Sequence, residues 1–111
     1  MENFQPGEVV LVAFPFASTE ESKRRPALVL IDIGDADIVA ARVTSQAVRA
    51  IFDVQITHWQ EAGLLLPSVT RIHKLATLEK RLIERRLGKL EAGDWAQVLA
   101  RVRQLWAIIE K

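Results

Sequence analysis

The spacing of apolar side chains divides this chain into several short strands and one helix. Runs rich in apolar and β-branched residues, each ended by glycine, proline or polar residues, predict strands over residues 8–15, 26–33, 37–44 and 52–56. The fourth run alternates apolar and polar residues with period two, as a half-buried strand does. Gly34 and Asp35 separate the second run from the third, which favours a short hairpin. This part of the chain is therefore predicted to form an antiparallel sheet.

Weaker patterns follow in the middle of the chain. Residues 58–63 predict a turn closed by Gly63, and a further strand is predicted to begin near Ser68. From Val69 onward apolar and polar residues are mixed on both faces of this strand, so we expect one face to line a site. Residues 82–90 predict another short extended or 3₁₀ segment.

The last segment has a helical period. Its apolar side chains recur at intervals of three and four residues, the pattern of an amphipathic helix with one buried stripe. These side chains are Trp95, Val98, Leu99, Val102, Leu105, Trp106 and Ile109. Asp94 precedes them and is predicted to be the N-cap, while Trp95 and Trp106 are both expected to pack under the helix. Because the stripe must be covered, we expect the helix to dock on the β-structure. Each large side chain buried there stabilises the fold by about 1.5 to 3 kcal/mol.

Strands followed by one terminal helix, with short connections, predict a mainly β fold: a small, strongly curved antiparallel sheet or half-open barrel. The length of 111 residues, with 50% hydrophobic and 26% charged residues, fits a single domain over residues 1–111. The absence of cysteine excludes disulfides, thiolate metal sites and a cysteine nucleophile. No run is apolar enough to cross a bilayer and no leader pattern opens the sequence, so we expect a cytoplasmic protein.

Cofactor motifs are also missing from the sequence. There is neither a P-loop nor a Gly-x-Gly-x-x-Gly segment, and no group of His, Asp or Glu residues has the spacing of metal ligands. We therefore expect no cofactor and no metal site.

Charge is distributed unevenly along the chain. Residues 1–79 contain seven basic and ten acidic residues, whereas residues 80–111 contain eight basic and four acidic ones, for a net charge of +1. The basic excess of the second part would attract a polyanion or an acidic protein segment, or would form a solvated face. Both interpretations stay open.

The Arg24-Arg25-Pro26 segment opens an otherwise apolar strand. Pro26 restricts the backbone of Arg25 to extended conformations, so the guanidinium extends from a stiff base. A planar, permanently charged donor suits a phosphodiester, which it can contact through two parallel hydrogen bonds. The alternative is that these arginines only guard a strand edge with charge.

Three segments, taken in order, resemble the PemK/MazF family of toxins from type II toxin–antitoxin systems. They are residues 6–12, the polar loop ending in Arg24-Arg25-Pro26 with the following apolar strand, and residues 43–46. The resemblance continues through residues 67–69, 77–83 and 87–90 into the terminal helix, so it covers nearly the whole chain.

The resemblance implies a homodimer of SH3-like barrels, a cognate antitoxin protein that neutralises it, and metal-independent, sequence-selective cleavage of single-stranded RNA that leaves a 2′,3′-cyclic phosphate. Arg25 falls on the family's Arg-Pro position and Thr44 on the threonine of its third-strand motif. Glu20 falls on the glutamate of the family's loop between the first two strands, and it is the third predicted catalytic residue. The predicted substrate contacts are Lys23, Arg24, Ser45, Gln46, His58, Trp59 and Arg71.

The chemistry of these side chains agrees with such a reaction. RNA supplies its own nucleophile, the 2′-hydroxyl, so the protein must accept a proton, stabilise charge on phosphorus and protonate the leaving 5′-oxygen. Arg25 suits the second task but is a poor base, because a guanidinium stays protonated. Glu20, His58 and His73 are the candidate bases, and the choice between them stays open.

A second hypothesis belongs to a different class. The same barrel can serve as a non-catalytic binding module, and related toxins with this fold poison DNA gyrase. The presence of both Arg25 and Thr44 favours the nuclease.

Overall fold

The computed structural model describes residues 2–14 and 23–111, with the backbone alone at Phe14 and Lys23. Within these ranges the chain forms six strands, one 3₁₀ turn and one helix. In chain order they are β1 (Glu8–Phe14), β2 (Lys23–Ile31), β3 (Asp37–Thr44), β4 (Asp53–Ile56), β5 (Ser68–Glu79), the 3₁₀ turn (Lys80–Leu82), β6 (Ile83–Lys89) and α1 (Ala92–Ile109).

All six strands join one sheet in the order β4-β5-β3-β2-β1-β6, and every pair is antiparallel. Among the described residues the edge strands β4 and β6 do not pair with each other, so the sheet is open and not closed into a barrel. The predicted fold class, a mainly antiparallel β fold with a C-terminal helix, is confirmed.

Each face of the sheet is covered by its own apolar cluster. The larger cluster lies under α1 and contains Val9, Leu28, Ile56, Ile72 and Val98, each fully buried. The second cluster lies on the opposite face and includes Phe4, from the segment before β1. Side chains alternate across a strand, so Leu28 packs in the larger cluster while Ala27 and Val29 pack in the second one. Both faces of β2 are therefore buried, which explains its continuous apolar run.

The turn after β4 lies tightly against β6. Gly63 has φ of +79°, and a Cβ there would lie 2.0 Å from the carbonyl oxygen of Leu87. A Cβ on Gly88 would lie 2.6 Å from the carbonyl carbon of Ala62. Only glycine fits either position, so the turn and β6 are held at a fixed distance.

Two details of the predicted helix are wrong. The N-cap is Glu91, whose carboxylate accepts hydrogen bonds from the backbone N–H groups of Gly93 and Asp94. Asp94 is buried one turn further and accepts instead from the backbone of residues 57 and 58. Trp106 does not pack under the helix, since it is 60% exposed. Within the described ranges, no helix is long and apolar enough to cross a membrane.

Candidate functional site

A cleft of about 510 Å³ opens where the beginning of β2 meets the end of β3. Its far walls are β6 and the loop that precedes β5. Lining side chains come from Leu11, Arg24, Arg25, Pro26, Val43, Thr44, Ser45, Leu64, Leu65, Leu66, Ser68, Arg85 and Leu87. Polar and cationic groups thus face a largely apolar wall.

Arg25 and Thr44 lie on neighbouring strands of this cleft. The paired part of these strands ends at Ala27 of β2 and Arg42 of β3, and two residues beyond that end Arg25 and Thr44 both line the cleft. Arg25 is exposed and Thr44 is half-buried. Two functional groups of different chemistry, a guanidinium and a hydroxyl, therefore line the same cleft.

The Thr44 hydroxyl has a defined partner. Its oxygen accepts a hydrogen bond from the backbone N–H of Gln46 at 3.2 Å. The hydroxyl hydrogen is left to donate to another acceptor. Thr44 can therefore present a donor to an oxygen bound in the cleft.

Arginine dominates the electrostatics of the cleft. Arg24, Arg25 and Arg85 line it, and none of its described lining residues is acidic. Arg24 is the one that is partly neutralised: its Nε lies 2.7 Å from a Glu84 carboxylate oxygen, and this hydrogen bond raises the pKa of Arg24. The arrangement favours an anionic ligand.

A family model described as "PemK-like, MazF-like toxin of type II toxin-antitoxin system" matches residues 5–106. The chain belongs to this toxin family. No curated protein matches the sequence.

Solved structures show the same fold. The MazE–MazF complex (Form-II) of Deinococcus radiodurans is 26% identical, has a TM-score of 0.74, and matches over 92% of this chain and 94% of its own. MazF (Form-I) from the same organism is 26% identical, has a TM-score of 0.72, and matches over 96% of this chain and 99% of its own. An endoribonuclease from a mycobacterial species, 16% identical with a TM-score of 0.74 over 96% and 94%, is similar in fold.

Several predicted site residues of the toxin meet in the cleft. Arg24, Arg25, Thr44 and Ser45 all line it. Gln46 is exposed beside it, and its side-chain oxygen accepts from Arg49 at 3.0 Å and from Arg71 at 3.4 Å.

Other predicted contacts lie elsewhere. His58 is held at the start of α1, its Nδ1 lying 3.1 Å from Glu91 and 3.5 Å from Asp94. Trp59 packs against the larger apolar cluster and does not line the cleft. Arg71 is only 4% exposed, and its guanidinium pairs with the buried Asp53 and does not line the cleft. His73, the other histidine considered as a base, contacts the ring of Phe52 outside the cleft.

Two predicted site residues lie partly or wholly outside the described residues. Glu20 lies outside the described residues, and only the backbone of Lys23 is described, paired with Phe14 at the end of the β1–β2 ladder. The segment that carries Glu20 is therefore joined to β2 two residues before Arg25.

Among the residues that the structure describes, one group of possible metal ligands comes together, although the spacing in the sequence does not indicate it. Donor atoms of His58, Glu91 and Asp94 all lie within 4.8 Å of one another, at the beginning of α1. Both carboxylates already accept hydrogen bonds from backbone N–H groups. The group therefore has a structural role in joining the turn after β4 to the helix.

Arg85 lines the cleft although the sequence points to it only as part of the basic excess of residues 80–111. It lies 60 residues after Arg25 in the chain. Pairing of β6 with β1 and of β1 with β2 brings the two together, with Leu11 opposite both Arg85 and Pro26. Only the order of strands in the sheet reveals this, and no local motif does.

Proposed function

We propose that this toxin is a metal-independent endoribonuclease that cuts single-stranded RNA. The observation that carries the proposal is the cleft that Arg25, Thr44 and Arg85 all line, with no acidic residue among its described lining residues. An anion with several oxygens, such as a phosphodiester, fits these groups. The name endoribonuclease carried by the mycobacterial structure of the same fold supports the proposal.

The reaction uses a nucleophile that RNA itself contains. The 2′-oxygen forms a bond to phosphorus as its proton is removed, and the bond from phosphorus to the 5′-oxygen breaks as that oxygen gains a proton. The products are a 2′,3′-cyclic phosphate and a 5′-hydroxyl. The guanidinium of Arg25 stabilises the charge that develops on the phosphoryl oxygens, and the Thr44 hydroxyl donates to one of them.

The proton of the 2′-hydroxyl needs an acceptor near neutral pH. Arginine does not serve, because its guanidinium stays protonated, and neither His58 nor His73 lines the cleft. Glu20 is our proposed base, since it belongs to the segment that enters β2 just before Arg25.

The partners of this toxin are proposed from the family. We propose a homodimer and a cognate antitoxin, in the cytoplasm, with the antitoxin competing for the cationic cleft. The mycobacterial endoribonuclease in complex with its cognate antitoxin, which shares the fold at a TM-score of 0.73, supports such a partner. A mass of two chains in light scattering is the expected result for the homodimer.

Cleavage of a mixture of single-stranded RNAs in EDTA tests the proposal. The wild-type toxin is expected to cut and to leave cyclic phosphate ends, whereas Arg25→Ala and Thr44→Val each lower the rate by about 10²- to 10³-fold, the usual effect of removing one donor to a developing oxyanion. Arg81→Ala is the matched control, because Arg81 is exposed and lies outside the cleft.

Three results would contradict the proposal. RNA left intact by the folded wild-type protein would favour the non-catalytic binding module. Cleavage that needs added metal would exclude the metal-independent reaction. Undiminished cutting by both cleft variants would place the active site elsewhere.

A further inference from the structure

We propose that Asp53 and Arg71 form a buried pair that positions the Thr44 hydroxyl for the reaction, through Gln46 and the loop that follows β3. This role rests on the proposed function, because Thr44 is a catalytic residue only in that reaction. Asp53 and Arg71 do not line the cleft, so they are positioning residues.

The pair is built into the sheet. Asp53 of β4 and Arg71 of β5 are direct ladder partners. Their side chains are 0% and 5% exposed, and an Nη1-to-carboxylate distance of 3.3 Å joins them. A buried ion pair contributes little net stability compared with apolar residues of similar size, but it specifies one geometry and is costly to break. The pair therefore holds β4 and β5 in one geometry at this point of the sheet.

Asp53 also holds the backbone of the loop. One carboxylate oxygen accepts from the N–H of Arg49 at 2.8 Å and from the N–H of Ala50 at 3.1 Å. Burial by itself would raise the pKa of Asp53, but these two N–H groups, together with Arg71 and His73, hold it below its usual value. Asp53 is therefore ionised at neutral pH and binds both the loop and Arg71 as a carboxylate.

Arg71 extends the connection towards the cleft. While its Nη1 faces Asp53, its Nη2 donates to the Gln46 side-chain oxygen at 3.4 Å, and Arg49 donates to the same oxygen at 3.0 Å. The backbone N–H of Gln46 in turn donates to the Thr44 hydroxyl oxygen. Gln46 thus joins two sets of hydrogen bonds: its side chain is held by the Asp53–Arg71 pair, and its backbone N–H holds the hydroxyl of the cleft.

This connection decides where the hydroxyl hydrogen points. As long as Gln46 N–H occupies one side of the Thr44 oxygen, the hydrogen is directed away from Gln46. If the loop loosens, the hydroxyl can rotate and donate elsewhere. A small misplacement of a reacting group can lower a rate by about 10²-fold, so loss of the pair is expected to slow the chemical step without removing a substrate contact.

Asp53→Asn is the main test variant, because it keeps the shape of the side chain and removes the charge. Gln46→Ala is the second variant: Gln46 is exposed, so this change does not threaten folding. Asp32→Asn is the matched control. Asp32 belongs to another buried ion pair, with Lys80 at 2.9 Å and side-chain exposures of 0% and 5%, and neither residue lines the cleft.

Two measurements are made on each folded protein. The first is RNA cleavage in EDTA over a range of RNA concentrations. Asp53→Asn is expected to lower the maximal rate by about 10- to 100-fold, with the half-saturating RNA concentration essentially unchanged. In a Thr44→Val background the same change is expected to have no further effect, because the two residues act through one hydroxyl. The second is amide hydrogen exchange, which Asp53→Asn is expected to accelerate at Gln46, Arg49 and Ala50.

The outcomes separate the two proposals. Asp32→Asn is expected to leave the cleavage rate and the exchange of the loop unchanged. Equal rate losses in Asp53→Asn and Asp32→Asn, additive losses with Thr44→Val, or unaltered exchange at Gln46 would overturn the positioning role. If Asp53→Asn does not fold, the same criteria apply to Gln46→Ala. If the wild-type protein leaves RNA intact, the proposed function fails, while the exchange data still decide whether the pair holds the loop at Thr44.

Discussion

Asp32 is a single carboxylate that ties three parts of the fold together. It accepts from the backbone N–H of Phe4 at 2.7 Å and from that of Gly34 at 2.8 Å, and it pairs with Lys80 at 2.9 Å. The hydrogen bond from Phe4 and the one from Lys80 lower the pKa of Asp32 to about 2, although burial opposes them. The N-terminal segment, the end of β2 and the 3₁₀ turn thus depend on one ionised group.

The lowered pKa of Asp32 predicts how stability falls in acid. The unfolded chain binds this proton near pH 3.9, whereas the folded protein does so only near pH 2. The contribution is therefore complete above about pH 4 and is lost as the pH falls towards 2. In urea titrations Asp32→Asn is expected to be less stable than wild type at pH 6 and to have a shallower pH dependence between 4 and 2. Equal dependence in both proteins would contradict this assignment.

Short segments of the sequence point to Arg25 and Thr44, but not to Arg85, which reaches the cleft only through strand pairing. Arg25 and Thr44 were predicted from short motifs on consecutive strands, and they line one cleft. Arg71 is predicted to contact substrate, yet it is buried and paired with Asp53. Whether a charged residue faces solvent or a buried partner depends on the register between strands, which composition and periodicity do not contain.

At the level of elements, the repeating patterns predicted the strands and the helix but not every boundary. β3 spans Asp37–Thr44, as the sequence predicts, whereas β2 begins three residues before its predicted start. The helix begins earlier as well, because Glu91 caps it while Asp94 binds the backbone of the turn after β4. β2 is extended by its pairing with β1 up to Lys23, and Asp94 is occupied by the distant backbone of residues 57 and 58, neither of which a local signal contains.

Two side-chain truncations on α1 are expected to differ greatly in their effect on the free energy of unfolding. Val98 is fully buried in the larger apolar cluster, so Val98→Ala is expected to lower the free energy of unfolding by about 2 kcal/mol through lost burial and the remaining cavity. Trp106→Ala removes many more atoms, but from a side chain that is 60% exposed, and we expect about 0.5 kcal/mol or less. Urea unfolding at neutral pH measures both. A larger loss for Trp106→Ala would show that the end of the helix is covered in solution.

For the whole molecule, the uneven charge of the sequence is partly balanced in space, because three of the eight cations of residues 80–111 form ion pairs. Cations of the last third pair with acids from the first two thirds: Lys80 with Asp32, Arg81 with Glu79, and Arg86 with Glu2 and Glu8. The other five, Arg85 among them, form no ion pair with another described residue. Of the eight cations of residues 80–111, Arg85 is the one that lines the cleft.

The salt dependence of RNA binding tests this distribution of charge. Each phosphate contact made by a cation contributes about −0.7 to the slope of log K against log salt for a single strand, so the three cleft arginines predict a slope no steeper than about −2. With RNA carrying 2′-O-methyl groups, which cannot be cut, Arg85→Ala is expected to weaken binding and to make the slope shallower by about 0.7. Arg81→Ala is expected to leave the slope unchanged, because Arg81 pairs with Glu79 outside the cleft. Equal slopes for wild type and Arg85→Ala would mean that the bound RNA does not contact the wall formed by β6. A slope much steeper than about −2 would mean that cations outside the cleft contact the RNA phosphates.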